Sequence, residues 1–262
     1  MNIYTIVKYL KYILFSSHRR GHGIHSPFVF NLVTKVFRNK INPDVVFIIE
    51  KIRQMMIADN RRISVTDYGS GSERMKSNLR KVSEIAKYSA VPRKYGVLLA
   101  GLSGEFGRSH IIELGTSLGI STMYLAAASP EVIVHTIEGC RETSEIAKNN
   151  FSRSGLKNIR IYTGKFDDIL TELENQNIRT GLVFIDGDHR REQVLRYFNK
   201  IVDMSDDQSV IVLDDIHSSS GMGEVWEEIK KYEKVTLTVD IFRMGLVFFR
   251  AGMTRSDYII RY

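Results

Sequence analysis

The segment at residues 110–122, HIIELGTSLGIST, constrains the fold of this chain more than any other. An apolar run carries the acid Glu113 near its end, a turn with Gly115 and Gly119 follows, and apolar side chains at helical spacing come next. This order predicts a β-strand, a glycine loop and the start of an α-helix. Open α/β sheets bind nucleotide-containing ligands with such a unit, at the carboxyl ends of their strands.

The acid before the loop indicates which ligand fits. The spacing is acid-x-Gly-x-Ser-x-Gly and not the Gly-x-Gly-x-x-Gly of dinucleotide sites, so an NAD-dependent oxidoreductase is the least favoured function. A carboxylate here repels phosphate but suits a cationic amino group, which S-adenosylmethionine (SAM) carries. We therefore predict a SAM site at this loop. Its predicted contacts are Glu113, Gly115, Ser117, Gly119 and Ser121.

Strand-like and helical patterns alternate from about residue 105. The strand-like runs are residues 110–114, 132–137, 159–163, 182–185, 210–213, 235–241 and 246–249. Predicted helices lie near 119–128, 142–153, 167–175, 190–202 and 222–232. The last two strands are joined by only four residues, so they should form an antiparallel hairpin. The pattern predicts a Rossmann-like α/β fold, with a seven-stranded, mostly parallel sheet and a reversed last strand.

We predict that residues 1–104 form a helical N-terminal cap on a sheet domain at 105–262. Helices are predicted at 3–14, 28–37, 43–56 and 73–88, and after Pro92. The segment ISVTDYGSGS at 63–72 looks like a second strand and glycine loop, but no alternating strands follow it. We interpret it as a loop that closes over the site or as a plain surface turn.

Charge is unevenly distributed along the chain. Residues 1–100 hold 18 Lys and Arg against 6 Asp and Glu, a balance of +12 within a net charge of +7. Such a region could contact an acidic substrate, nucleic acid or anionic lipid, or form a solvated helical face. The first helix is too short and too charged to span a bilayer, and no signal-peptide cleavage site follows it. Its apolar face should pack on this chain or on a homodimer mate, and the single cysteine fits a cytoplasmic location.

Further candidate residues follow the next two strands. Glu138 ends the second strand about twenty residues past the loop, where an acid accepts hydrogen bonds from both ribose hydroxyls of a nucleoside. The competing interpretation is an acid that stabilises the N-terminus of the next helix. Gly139, Lys165 and Phe166 are placed to border the adenosine.

Acids and histidines end the fourth and fifth strands, in LVFIDGDH and VIVLDDIH. Clustered carboxylates repel one another unless a positive charge binds between them, and Mg²⁺ or another divalent cation would meet that need. The predicted metal ligands are Asp186, Asp214 and Asp215. The alternative is that Asp214 caps a helix and no metal binds. The candidate catalytic residues are Asp186, His189 and His217, with a histidine as the base that deprotonates a hydroxyl. Asp186 is also a predicted SAM contact, because the end of its strand lies beside the expected methyl donor.

These motifs, in this order, resemble the catechol/caffeoyl-CoA O-methyltransferase-like branch of class I SAM-dependent methyltransferases. The resemblance covers about residues 92–250, and the DGD and DD pair is most similar to sugar O-methyltransferases related to macrocin O-methyltransferase. It implies metal ligands at Asp186, Asp214 and Asp215, and SAM contacts at Glu113, Ser117 and Glu138. Catechol-type enzymes carry an amide at the position of Asp215. The whole chain also resembles uncharacterised bacterial class I methyltransferases, which indicate no substrate.

The sequence therefore predicts SAM-dependent O-methylation of a hydroxyl on a small-molecule acceptor, with a pocket contributed by the N-terminal cap. One alternative is an RNA or other nucleic-acid methyltransferase, which the basic N-terminal region favours. The chain lacks the Asn/Asp-Pro-Pro-aromatic motif used on base amino groups, so a nucleic-acid partner is not expected. The other alternative is a SAM-fold protein that binds without catalysis.

Overall fold

A computed structural model describes residues 3–17, 21–39, 41–66 and 78–262. Two short strands, β1 (Arg62–Ser64) and β2 (Leu79–Lys81), pair antiparallel with each other. The other eight strands form one sheet: β3 (His110–Leu114), β4 (Ile133–Glu138), β5 (Ile159–Thr163), β6 (Leu182–Ile185), β7 (Val210–Leu213), β8 (Leu237–Asp240), β9 (Gly245–Phe248) and β10 (Ser256–Ile259).

The strand order across the sheet is β10-β8-β9-β7-β6-β3-β4-β5. Only β9 is antiparallel to its neighbours, β7 and β8, and every other pairing in this sheet is parallel. The predicted parallel sheet and its antiparallel hairpin are therefore confirmed. Strand β10, which extends the edge beside β8, was not predicted. Its side chains are mostly half-buried, so it lacks the apolar run that marks the central strands.

The described helices are α1 (Ile3–Phe15), α2 (Pro27–Thr34), α3 (Pro43–Ile57), α4 (Val82–Tyr88), α5 (Arg93–Phe106), α6 (Ile120–Ala127), α7 (Arg141–Ser154), α8 (Phe166–Asn175), α9 (Arg191–Met204) and α10 (Ser220–Lys231), with a 3₁₀ turn at Val36–Arg38. They cover both faces of the sheet. None of the helices in the described ranges combines the length and apolarity needed to cross a membrane.

Helices α2 to α7 share one apolar core with a face of the sheet, and α8 to α10 pack on the opposite face. Leu32, Ile49 and Leu98 of the N-terminal region lie in the same core as Ile111 and Phe184 of the sheet. Residues before β3 thus form much of one helical layer. The domain boundary at 104/105 stays a prediction.

Helix α1 packs through the side that carries Tyr12, and this side contacts the chain just after β10, at the edge of the sheet. The Tyr12 hydroxyl donates to the carbonyl of Ile260 at 2.8 Å, and Ser17 bridges to the same edge residue. The apolar stripe predicted on this helix faces outward, since Ile3, Leu10 and Leu14 are 81%, 62% and 76% exposed. The stripe therefore does not pack on the described part of this chain.

The predicted helix at 73–88 was too long at its N-terminal end. Among the described residues it begins only at Val82, and residues 79–81 form β2. Pairing with β1 keeps residues 79–81 extended, and the side chain of Glu84 then caps the following helix at Lys81. Residues 67–77, which include most of the ISVTDYGSGS segment, lie outside the described residues.

Two glycines of α5 give a matched test of how this helix packs on the sheet domain. A Cβ at Gly96 would lie 2.4 Å from the ring of buried Tyr124, whereas a Cβ at Gly104 meets nothing closer than 3.7 Å. We expect Gly96→Ala to lower the free energy of unfolding by about 1–3 kcal/mol through overpacking. Gly104→Ala should raise it by up to about 1 kcal/mol through helix propensity. Denaturant unfolding measures both, and equal effects of the two substitutions would contradict the packing described here.

Candidate active site

A cleft of about 530 Å³ opens at the carboxyl ends of the central strands. Its floor is formed by the residues that follow β3, β4, β5, β6 and β7, because parallel strands all end at one edge of the sheet. The N-terminal region contributes a wall through Val65, Thr66 and Arg80 and through residues 88–91. Val65 and Thr66 belong to the segment predicted either to close over the site or to form a surface turn, and they line the cleft.

The loop after β3 brings its backbone close to the neighbouring strand end. Gly115 has φ +100°, and a Cβ there would lie 2.2 Å from the carbonyl oxygen of Asp186. Gly119 has φ +84°, and a Cβ there would lie 2.4 Å from the ring of Phe151. Ser117, between them, is also left-handed, with φ 49°. Both glycines are therefore required by a close approach and by a backbone conformation that other residues rarely adopt.

Glu113 lies fully buried beneath this loop. Its Oε2 accepts hydrogen bonds from the hydroxyls of Thr122, on α6, and Thr136, its register partner on β4. Its Oε1 has no hydrogen-bond partner among the described residues. Burial raises the pKa of Glu113 from an ordinary 4.5 to about 7. The hydroxyl of Ser121 also acts on this carboxyl and, with those of Thr122 and Thr136, opposes the rise in its pKa. Glu113 itself does not line the cleft, whereas Gly115, Thr116 and Ser121 do.

Glu138 lines the cleft at the end of β4. Its Oε2 accepts from the backbone N–H of Ser117 at 2.7 Å, and its Oε1 accepts from that of Cys140 at 2.9 Å. These two bonds fix the plane of the carboxylate at the edge of the cleft. The geometry fits a bidentate acceptor for vicinal hydroxyls such as those of ribose.

Most of the other predicted cofactor contacts are brought to the same cleft. Ser121, Gly139, Lys165, Phe166 and Asp186 line it, as do Gly115 and Ser117. Gly119, which ends the loop at the N-terminus of α6, is not among the residues that line the cleft. The ring of Phe166 packs edge-on against Tyr197 at 5.4 Å, which fixes an aromatic wall beside the strand ends. Tyr197 also lines the cleft and lies on α9, where sequence reasoning did not find it.

The predicted acid cluster lies at the far end of the cleft. Asp186 and Asp215 line it, and Asp214 is fully buried behind them. Burial, followed by repulsion from Asp214 and Asp215, raises the pKa of Asp186 well above its ordinary range. Asp215 has φ 54°, so its backbone adopts a strained conformation at this point.

Arg243, which sequence reasoning missed, supplies a positive charge to this cluster. Its Nε and Nη2 bind the two oxygens of Asp214 at 3.0 and 2.6 Å, and Nη2 lies 3.9 Å from Asp215. The described residues contain no group of three or more His, Cys, Asp or Glu side chains able to hold a metal ion. With the guanidinium in this position, the three carboxylates do not fit a divalent ion. Asp214 does not cap a helix either, since Ser219 caps α10.

The two candidate catalytic histidines differ in position. His189 lines the cleft near Asp215. Burial and repulsion from Asp214 raise the pKa of Asp215, and Arg243 and His189 oppose that rise. His217 is 7% exposed, and its Nε2 lies 2.7 Å from Oδ2 of Asp240. It is not part of the cleft lining. The structure thus brings Asp186 and His189 together and leaves His217 behind the wall.

The raised pKa of Glu113 makes a prediction for stability. Between pH 4.5 and about 7 the native carboxyl keeps a proton that the unfolded chain loses, so the free energy of unfolding falls as pH rises through this window. One pKa unit corresponds to about 1.4 kcal/mol, so Glu113→Gln should stabilise the ligand-free protein by about 1–3 kcal/mol at pH 8 and not at pH 4. Thermal unfolding from pH 4 to 8 measures this, with exposed Glu174→Gln as control. Parallel curves for wild type and Glu113→Gln would contradict it.

Comparisons with known proteins agree with this geometry. Residues 112–216 match the family described as a methyltransferase domain. A catechol O-methyltransferase of Mycobacterium tuberculosis is 30% identical over 135 residues, 51% of this chain and 60% of that protein. A catechol O-methyltransferase of Niastella koreensis is 33% identical over 110 residues, 41% of this chain and 49% of that protein.

A solved structure has the same fold. The O-methyltransferase from Bacillus cereus in complex with SAH (S-adenosylhomocysteine) superposes with a TM-score of 0.57 at 20% identity, covering 80% of this chain and 93% of that chain. The sequence matches to the two catechol O-methyltransferases span at most 60% of their lengths. With its central sheet, reversed β9 and glycine loop, the chain has the fold of that structure, and its residues 112–216 are similar to the methyltransferase domain family.

Proposed function

We propose that this chain is a SAM-dependent O-methyltransferase that acts on a hydroxyl of a small-molecule acceptor. The observation that carries the proposal is the arrangement at the ends of β3 and β4, where Gly115 and Ser117 of the glycine loop line the cleft and the N–H of Ser117 donates to Glu138. Buried Glu113 lies behind this loop, and its Oε1 has no hydrogen-bond partner within the described ranges, so the ammonium group of SAM would be attracted to it, directly or through water. Glu138 stands at the next strand end in the same cleft, as a ribose acceptor should.

When bound, SAM supplies an electrophilic methyl group on a sulfonium. The chain must then orient a nucleophile in line with the methyl group and remove its proton. Asp186 is the proposed base, because it follows β6 directly, contacts the glycine loop through its carbonyl and lines the cleft. The acceptor hydroxyl passes its proton to Asp186 while its oxygen bonds to the methyl carbon. The sulfur–carbon bond breaks, and the product is a methyl ether plus SAH.

The acceptor class is supported by the related proteins and by the cleft. Both relatives named above are catechol O-methyltransferases, which argues for a small hydroxylated molecule. The wall formed by Val65, Thr66 and Tyr88 supplies apolar contacts at the mouth of the cleft. A pocket between the N-terminal region and the strand ends accords with the proposed acceptor site.

The proposed reaction contains no step through a divalent ion, because the guanidinium of Arg243 is bound to Asp214. A homodimer formed through the N-terminal helices and a cytoplasmic location stay predictions. The exposed stripe of α1 is the surface on which such a dimer would depend.

Cofactor binding can be tested with SAH and three proteins. Calorimetric titration should give micromolar binding to the wild type and at least roughly a tenfold loss in Glu138→Ala, since two hydrogen bonds to a charged group are removed. Glu145→Ala is the matched control, because Glu145 is an exposed residue of the following helix, paired with Lys148. Equal SAH affinities for all three proteins would contradict the ribose assignment. Absence of SAH binding to the wild type would contradict the proposed function.

Turnover can be tested with Asp186→Asn against a panel of catechols and other phenols. Loss of the base should reduce kcat by about 10²–10⁴-fold in a protein that still binds SAH. His189→Gln serves as the comparison, because it removes the candidate histidine base that lines the same cleft. If His189→Gln abolishes turnover and Asp186→Asn does not, the base is His189. A wild type that binds SAH and methylates no acceptor, including RNA, would favour the non-catalytic alternative.

A further inference from the structure

Arg243 reaches the acid cluster because of the direction of the last two strands. It lies in the link between β8 and β9, and β8 runs parallel to the central strands, so this link stands at the same edge as the cleft. The backbone of the link is tied to the loop after β7, since the N–H of Ile216 donates to the carbonyl of Arg243 at 3.3 Å. The topology therefore delivers a cation to the edge where the acids converge.

The turn that carries Arg243 is held by buried contacts. Phe242 has φ 72°, which a bulky residue rarely adopts, and its N–H donates to Oδ1 of Asp240 at 2.7 Å. Its ring packs against His217 at 5.5 Å and against Tyr12 of α1 at 5.3 Å. His217 in turn binds the other oxygen of Asp240. A strained turn fixed from both sides indicates that the direction of the arginine is built into the fold.

The guanidinium is bound as a fork and is not a mobile surface charge. It meets both oxygens of Asp214, a side chain that is fully buried, and the ring of Tyr95 stands 5.7 Å from its central carbon. Its side chain is 26% exposed and lines the cleft together with Asp186 and Asp215. Its Nη1 donates to no other described residue. The arginine thus combines a fixed charge with uncommitted donors at the acceptor end of the cleft.

We propose that Arg243 takes the place of a divalent cation at this acid cluster, excluding the ion and holding the acceptor oxygen with its free donors. The part that concerns the acceptor rests on the proposed function, whereas exclusion of the ion does not. An ion that reached Asp186, Asp214 and Asp215 would share Asp214 with a guanidinium of the same sign. A carboxylate already bound at both oxygens by a fixed cation is a poor ligand for a second one.

The test uses the full chain and Mn²⁺ alone, with free Mn²⁺ followed by electron paramagnetic resonance. The wild type should hold no Mn²⁺ at this cluster, and Arg243→Ala should gain one site that binds Mn²⁺ at least roughly tenfold more tightly than any residual binding elsewhere on the wild type. Adding Asp214→Asn to Arg243→Ala should abolish the gained site. Arg191→Ala is the matched control, because it breaks ion pairs with Glu224 and Glu228 outside the cleft.

Two outcomes would overturn the proposal. One is Mn²⁺ binding to the wild type that Asp214→Asn removes. The other is a folded Arg243→Ala protein, judged by circular dichroism, that gains no site. If Arg243→Ala does not fold, Arg243→Gln replaces it, since it keeps part of the volume and removes the charge. None of these readouts requires turnover, so failure of the proposed methyl transfer would be seen separately.

The proposed contact between Arg243 and the acceptor oxygen is tested separately, by enzyme kinetics. Arg243→Lys keeps the charge and loses the fork, so it should raise the KM for the phenolic acceptor at least roughly tenfold while leaving SAH affinity unchanged.

Activity of the wild type should be equal with EDTA and with added Mg²⁺. Loss of wild-type activity in EDTA that Mg²⁺ restores would overturn the assignment.

Discussion

The structure depends on how acids are buried at one edge of a parallel sheet. Because β3, β4, β6 and β7 all end at this edge, four acids are brought together there: Glu138 and Asp186 line the cleft, and Glu113 and Asp214 are buried behind it. A buried carboxylate must find donors, and three of these acids find three different kinds. Glu113 has hydroxyls, Glu138 has backbone N–H groups and Asp214 has a guanidinium. These partners determine which acids remain free to meet a ligand.

The sheet could be predicted because its signals are local. Each central strand is a short apolar run followed by small or acidic residues, and the four-residue link before Gly245 permits only an antiparallel return. The glycine loop was predictable for the same reason, since Gly115 and Gly119 stand where the backbone turns back toward the next strand end. Ser26 and Pro27 are a local signal of the same kind, since the Ser26 side chain accepts from the N–H of Val29 at the start of α2.

What the sequence did not predict depends on distant partners. Strand β10 forms because the exposed edge of β8 is available to pair, and residues 79–81 stay extended because β1 lies opposite them. His217 was placed in the active site by its position after β7, but Asp240 on β8 holds it behind the cleft wall. None of these three contacts affects the local pattern of residues, so periodicity and spacing could not predict them.

The acid cluster illustrates the same limit in energetic terms. The clustered acids in the sequence indicated that a positive charge lies among them, and both a divalent ion and an arginine can supply it. Three carboxylates beside one guanidinium would carry an excess of negative charge if all were ionised, and burial together with this repulsion raises the pKa of Asp186. That excess favours a cationic ligand in the adjoining cleft. A sulfonium is such a ligand, so the charge that makes the empty cluster costly also contributes to binding the proposed cofactor.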